Sequence, residues 1–305
     1  MIRPAQLLSA VAPLALFLVA CGGSTEPSAD SAADSAAGGA PEPAVASSEP
    51  AIVYAGPSGD ATEVFSSNLA GEVARQLTSR GGNVAFPVWS PDGGRILFVA
   101  RGEDSANVMV LDTASGETSV ALADNGNPAD WGPRGERILV TKGGDAGRGL
   151  YIIDLATGAE ERVDTGSSDD AYARWGRNGD TVTYESGRDG NPEIYVTDLE
   201  SGKTTRLTDN DLLDEWPSLS RDGGQVAWAS GTEEEKNLWV MRTDGSEKRR
   251  VTEGLMFGDA FPEWSPDGSR ILLTVRENDQ FVLKLIDLAS GEVTHIGEGA
   301  GASWR

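Results

Sequence analysis

Carboxylates are the most abundant reactive groups in this 305-residue chain, which carries 48 acidic side chains against 25 basic ones. The sets that most enzymes assemble around a nucleophile are missing. There is one histidine, His295, in the segment V-T-H-I-G, and one cysteine, Cys21. A Ser-His-Asp relay needs a base beside its nucleophile, and the chain contains no G-x-S-x-G elbow. Zinc catalysis generally wants several His or Cys ligands. Two kinds of carboxylate chemistry remain. A pair of acids acting on a glycosidic bond is formally available, and acid-rich loops can attract cations. Asp209-Asn210-Asp211 with Asp214 and Glu215 groups hard oxygen ligands, and Asp124-Asn125-Gly126-Asn127 with Asp130 is a looser version. Neither has the spacing of an EF-hand loop, whose bidentate Glu stands at position twelve. No metal ligand set and no cofactor are therefore assigned, and weak Ca²⁺ binding stays open.

The elements that must position these groups are announced by a repeat. Pro87 to Phe98 reads P-V-W-S-P-D-G-G-R-I-L-F and Pro262 to Leu273 reads P-E-W-S-P-D-G-S-R-I-L-L, with weaker copies starting at Ala129, Ala173 and Pro217. Aligning Trp89, Trp131, Trp175, Leu219, Trp264 and Trp304 gives steps of 42, 44, 44, 45 and 40 residues. That period, with strand-like content, belongs to propeller blades. A second turn closes each unit: N-L-A-G-E at Asn68, D-T-A-S-G-E at Asp112, D-L-A-T-G-A at Asp154, D-L-E-S-G-K at Asp198, R-T-D-G-S-E at Arg242 and D-L-A-S-G-E at Asp287. Asp or Asn offers an oxygen to nearby amides, and Gly takes the positive φ such turns require.

Between turns the residues alternate or run apolar over five to seven positions, as in R-I-L-F-V-A from Arg95 and N-V-M-V-L-D from Asn107, which are strand signals. The spacing predicts an all-β, six-bladed propeller of four-stranded antiparallel blades, the Trp strand innermost. The first unit opens at Ala51 with A-I-V-Y-A-G, a second-strand match. The chain finishes with G-A-S-W-R, a match only to an innermost strand. The C-terminal strand should therefore join the first blade, close the ring and hide both sheet edges.

The combination of W-S-P-D-G, I-L-F, D-x-x-S/T-G and R-L-T resembles the TolB-like, or PD40, six-bladed propeller repeats, over roughly residues 51 to 305. The resemblance implies a fold more than an activity, since such repeats serve in periplasmic binding proteins, beside serine peptidase domains and in lyases that use clustered histidines. TolB itself carries an additional N-terminal α/β domain, and no counterpart is expected in this sequence.

Residues 1–20 carry Arg3 and an apolar run from Leu7 to Ala20. Fourteen residues are too few to span a hydrocarbon layer of about 30 Å, so the segment reads as a signal peptide. Its end, Leu18-Val19-Ala20-Cys21, resembles a bacterial lipobox. That likeness implies that Cys21 becomes a lipidated N-terminus, held by acyl chains at a membrane it does not cross. Gly22 after the cysteine, where Asp would favour the inner membrane, points to the outer membrane of the cell envelope, on its periplasmic or surface side. Residues 21–50 form an acidic Ser/Ala/Pro/Gly tether too poor in apolar side chains to fold. As a coil its 29 residues after Cys21 span about 30 Å. Residues 51–305 form the propeller, with no thiol for a disulfide.

A formal charge of −23 argues against nucleic acid, whose binding needs phosphate neutralisation by Lys and Arg. The acids concentrate in loops entering innermost strands and in loops joining second to third strands, which share one propeller face. Candidates for a binding face are Asp130, Asp170, Asp209, Asp211, Asp214, Glu215, Trp216, Asp259 and Glu263. Such a face would dock an envelope protein or peptide with a cationic surface, charge speeding the encounter; a merely solubilising surface is the other reading. The five repeat tryptophans pack between blades. Trp216 is either a recognition anchor or local compensation for Leu219, the second being preferred. Asp130 and Arg174, in neighbouring blades, could pair. The expected function is a non-enzymatic binding or scaffolding module of an anchored envelope lipoprotein. The alternative is a carbohydrate- or peptide-processing enzyme using channel carboxylates such as Asp130, Asp214 or Glu263.

Overall fold

The computed structural model describes residues 52–69, 73–103, 105–125, 127–144, 147–254, 258 and 260–305. The signal peptide, Cys21 and the tether lie outside the described residues, as do Asp104, Asp145 and Asp259. Among the described residues there is no helix, and none long and apolar enough to cross a membrane.

Six four-stranded antiparallel sheets follow one another along the chain. The first blade holds β1 (Ile52–Ser58), β2 (Ala61–Ser67) and β3 (Val73–Gln76). The second runs β4 (Asn83–Trp89), β5 (Arg95–Arg101), β6 (Ala106–Asp112) and β7 (Thr118–Leu122), and the third β8 (Ala129–Trp131), β9 (Arg137–Gly144), β10 (Gly147–Asp154) and β11 (Glu160–Arg162). The fourth holds β12 (Asp170–Trp175), β13 (Thr181–Ser186), β14 (Glu193–Asp198) and β15 (Thr204–Arg206), and the fifth β16 (Leu213–Leu219), β17 (Gln225–Gly231), β18 (Lys236–Arg242) and β19 (Arg249–Arg250). The sixth comprises β20 (Glu263–Trp264), β21 (Arg270–Glu277), β22 (Gln280–Asp287) and β23 (Val293–Glu298). The last strand, β24 (Ala300–Trp304), pairs with β1 in the register Ile52 to Trp304 and Val53 to Ser303, which completes the first blade as the repeat ends require.

The turn chemistry accounts for the register. In S-P-D-G, Ser90 Oγ donates to Asp92 Oδ1 at 2.6 Å, Gly94 N–H reaches the same oxygen at 3.0 Å, and Arg95 N–H reaches Ser90 Oγ at 2.9 Å. The fifth and sixth blades repeat the arrangement around Asp222 and Asp267. In D-T-A-S-G, Asp112 Oδ1 accepts from both N–H and Oγ of Ser115, and Gly116 takes φ 76°. The threonine of R-L-T, and of its variants R-V-T and Q-L-T, accepts a third-strand N–H: Ile194 to Thr208 at 2.8 Å, Leu238 to Thr252 at 2.9 Å and Val64 to Thr78 at 2.9 Å.

The cores lie between blades. Val53 and Val64 of the first blade cluster with Trp89, Ile96 and Phe98 of the second. Indole N–H groups stitch neighbours together: Trp131 to Val88 O at 3.0 Å, Trp264 to Ser218 O at 3.2 Å and Trp304 to Glu263 O at 3.0 Å. The arginine that opens R-I-L adds a clamp absent from the sequence reading. Arg95, Arg137 and Arg270 each lie over the tryptophan of the next blade, Trp131, Trp175 and Trp304, at 4.7, 5.4 and 5.8 Å from the ring centre. Arg305 covers Trp89 at 5.6 Å. A guanidinium over an indole face gains from the ring quadrupole.

Candidate functional site

The residue three places before each blade's Trp or Leu in the innermost strand decides what fills the channel: Phe86, Pro128, Tyr172, Trp216, Phe261 and Gly301. At Phe86, Tyr172 and Trp216 the backbone turns left-handed, with φ of 54°, 50° and 56°. Each lies in a register shift of its strand pair, between Ala85 and Val88, Ala171 and Arg174, and Glu215 and Ser218. Such a bulge re-aims one side chain. The rings converge on Trp216, whose centroid lies 6.0 Å from Phe86, 4.0 Å from Tyr172 and 5.2 Å from Phe261. Only 7% of Trp216 remains exposed. It therefore joins four blades as a packing hub, rather than patching the gap beside Leu219.

Over this aromatic floor opens a cavity of about 740 Å³. Phe86, Tyr172 and Trp216 line its base, with Phe281 at the side and Arg101, Lys236, Glu215, Glu233 and Glu298 around the wall. Lys236 Nζ pairs with Glu215 at 2.5 Å, and Arg101 lies 5.9 Å over Phe86. Behind the wall, Glu185 accepts the Trp216 N–H at 3.2 Å. Burial, reinforced by the neighbouring Glu215 charge, pushes its carboxyl up to about 8.

Below the floor the channel narrows to a neck set by the residues immediately before the repeat Trp or Leu. Arg174 there donates to Asp130 at 3.4 Å and to Glu263, and lies 4.0 Å over Phe261. Asp130 also accepts the N–H groups of Trp131 and Trp175 at 2.9 and 2.8 Å. Burial drives the Glu263 carboxyl up to about 7, against the pull of Arg174.

The acids singled out in the sequence therefore separate. Asp130 and Glu263 pair with Arg174 in the neck, away from the outer rim. Asp170 and Asp214 are fully buried, which corrects their expected place on an open face. Asp170 takes Thr165 Oγ1 and Arg188, while Asp214 takes Asn210 Nδ2 at 2.7 Å and Trp228 Nε1 at 3.0 Å. Buried carboxylates need such partners. Glu215 lines the mouth and Asp209 and Asp211 are exposed. Asp209 is drawn to Arg206 at 2.9 Å, so the Asp209 to Glu215 stretch does not converge. Among the described residues no three His, Cys, Asp or Glu side chains gather where they could hold a metal ion. His295 is exposed on β23.

Phe86, Tyr172 and Phe261 escaped the sequence reading. The signal available was positional: an aromatic or proline three residues before the repeat Trp or Leu in five of six units.

The architecture has known counterparts. TolB from Acinetobacter baumannii superposes with a TM-score of 0.75 at 22% identity, covering 84% of this chain and 66% of that one. The putative TolB from Agrobacterium tumefaciens gives 0.66 at 22% identity, over 83% and 90%. An oligogalacturonate lyase in complex with manganese is more distant, at 0.57 and 15% identity over 81% and 74%. At these identities the likeness is one of fold. No curated protein sequence matches the chain. The TolB beta propeller domain family, PD40, matches residues 52–303, and with that span, the repeats and the closed six-bladed ring in agreement, the chain belongs to this family.

Proposed function

We propose that this protein is a lipid-anchored envelope protein whose propeller binds a protein or peptide segment at the channel mouth without catalysing a reaction. The observation that carries the reading is the 740 Å³ cavity over the aromatic floor. A concave site of this size, apolar at its base with a few charges at its wall, suits a ligand segment, and aromatic anchors concentrate binding energy. On the same face Glu103, Asp124, Asp211, Glu233 and Glu234 are exposed and have no ion pair among the described residues. Unneutralised acids around an aromatic pocket favour a partner with a basic surface. The sequence Leu18-Val19-Ala20-Cys21 supports the anchor and Gly22 an outer-membrane address. The carboxylates named for an enzymatic alternative, Asp130, Asp214 and Glu263, do not line the mouth cavity.

A photoactivatable side chain at Phe281, 45% exposed in the cavity wall, tests this in the native envelope against the same probe at Val120, 57% exposed on an outermost strand. Capture of one defined protein from Phe281 alone, lost in Glu233→Lys/Glu234→Lys and at about 1 M salt, where screening shortens to roughly 3 Å, is expected. Equal yield from Val120, or capture indifferent to salt and charge reversal, refutes it.

A further inference from the structure

At the end of the channel opposite the mouth, two blades depart from the repeat in the same way. Where the second, third and sixth blades place Pro91, Pro133 and Pro266 two residues after the repeat Trp, the fourth and fifth place Arg177 and Arg221, in W-G-R-N-G and L-S-R-D-G. Both arginines line a recess of about 60 Å³ that closes on Arg174, Ser218 and Ser303. Neither has a hydrogen bond or ion pair among the described residues, in a chain with nearly two acids for every base. They disfavour one another: burial first, and then Arg177, holds the Arg221 guanidinium below its usual value.

Arg174 supplies an independent sign of a missing ligand. It is 8% exposed, its Nη atoms go to Asp130 and Glu263, and its Nε is buried with no hydrogen-bond partner. A buried, unsatisfied N–H on a charged group is costly. Asp130 and Glu263 also line the recess and would oppose an anion, but both are engaged by Arg174, and the Arg177 charge also acts on Glu263. Three guanidinium groups then face at most two carboxylates. The planar donor fork of arginine matches oxyanions, and the volume admits a single such group rather than a sugar or a nucleotide.

We propose that Arg177 and Arg221, with Arg174 at the closed end of the recess, form a binding site for a phosphate-type oxyanion at the far end of the propeller channel.

The test titrates the full chain with inorganic phosphate by calorimetry. Saturable binding is expected, weakened about tenfold or more in Arg177→Ser/Arg221→Ser, as loss of charge-assisted hydrogen bonds implies, and unchanged in Arg249→Ser on the exposed outermost strand β19. Arg177→Pro/Arg221→Pro restores the residue of the sister blades and serves as a second variant in which the turn is retained. A free anion and a lipid headgroup share this chemistry, so sedimentation with phosphatidylglycerol vesicles separates them. Phosphate binding without co-sedimentation assigns the site to a soluble anion, and co-sedimentation abolished in the double variants assigns it to a headgroup. Absence of saturable binding to either probe, or binding equal in the double variants, overturns the site.

Discussion

Glu185 and Glu263 tie stability to pH through burial. Their carboxyls rise to about 8 and about 7, whereas Asp267, held by hydroxyl and amide donors in its turn, falls to about 2. The signs are opposite. For the glutamates the folded state binds the proton more tightly than the unfolded chain does, so their contribution is fully present below about 4.5 and is lost as pH rises through 7 to 8. For Asp267 the contribution is present above 3.8 and is lost as pH falls toward 2. Glu185→Gln keeps an acceptor for the Trp216 N–H and removes the charge. Its unfolding midpoint should exceed that of the parent above pH 8, by on the order of 1 to 2 kcal/mol in free energy, with the two curves converging near pH 5. Parallel curves from pH 5 to 9 would contradict the assignment. None of this was legible in the sequence, because an acid on a strand, such as Glu185 or Glu263, carries no mark of how deeply its neighbours will bury it. What buries Asp170 and Asp214 is Arg188 in one case and Trp228 in the other, 18 and 14 residues along the chain.

The bulged inner strands turn a repeated strand into a floor. Three residues with Cβ atoms hold left-handed φ values, a conformation that costs of order 1 to 3 kcal/mol each and persists where surrounding contacts over-determine it. Trp216→Ala removes the ring on which Phe86, Tyr172 and Phe261 converge. The variant should lose about 3 to 5 kcal/mol, as large-to-small changes at buried aromatics do, measured by denaturant unfolding. A loss under roughly 1 kcal/mol would mean that the floor is not a cooperative unit. The strands themselves were readable from composition, since Gly, Asp and Pro mark their ends. The bulges were not read, because A-F-P-V-W runs apolar throughout and Y-A-R-W carries neither Gly nor Pro, although Pro87 and Pro217 directly follow two of the three bulged residues, and sheets confine proline to edges and bulges. The aromatic position becomes visible only once the units are aligned on their Trp and Leu.

For the molecule as a whole, closure rests on β24, whose pairing with β1 seals the first blade. Removing residues 300–305 would bare the edge of β1, a template for association with other chains, and also delete the Trp304 and Arg305 contacts. The truncated protein should lose its cooperative thermal transition and aggregate, as read by calorimetry and size-exclusion chromatography; a monomeric variant with an unchanged transition would show that closure is dispensable. This level of the design was the most legible, because unmatched strand fragments at the two ends of a repeat have one complementary arrangement. The arginine clamps run in a single sense around the circle, each blade gripping its successor, and at two steps the donor position holds Thr181 or Gln225 instead. The fifth sector thus has no such clamp on either flank and is held instead by the Trp264 indole on Ser218 O and by the rings around Trp216, and it is this sector that delivers Trp216 to one side of the pore and Arg221 to the other. A displacement of this single wedge would therefore reach both openings together.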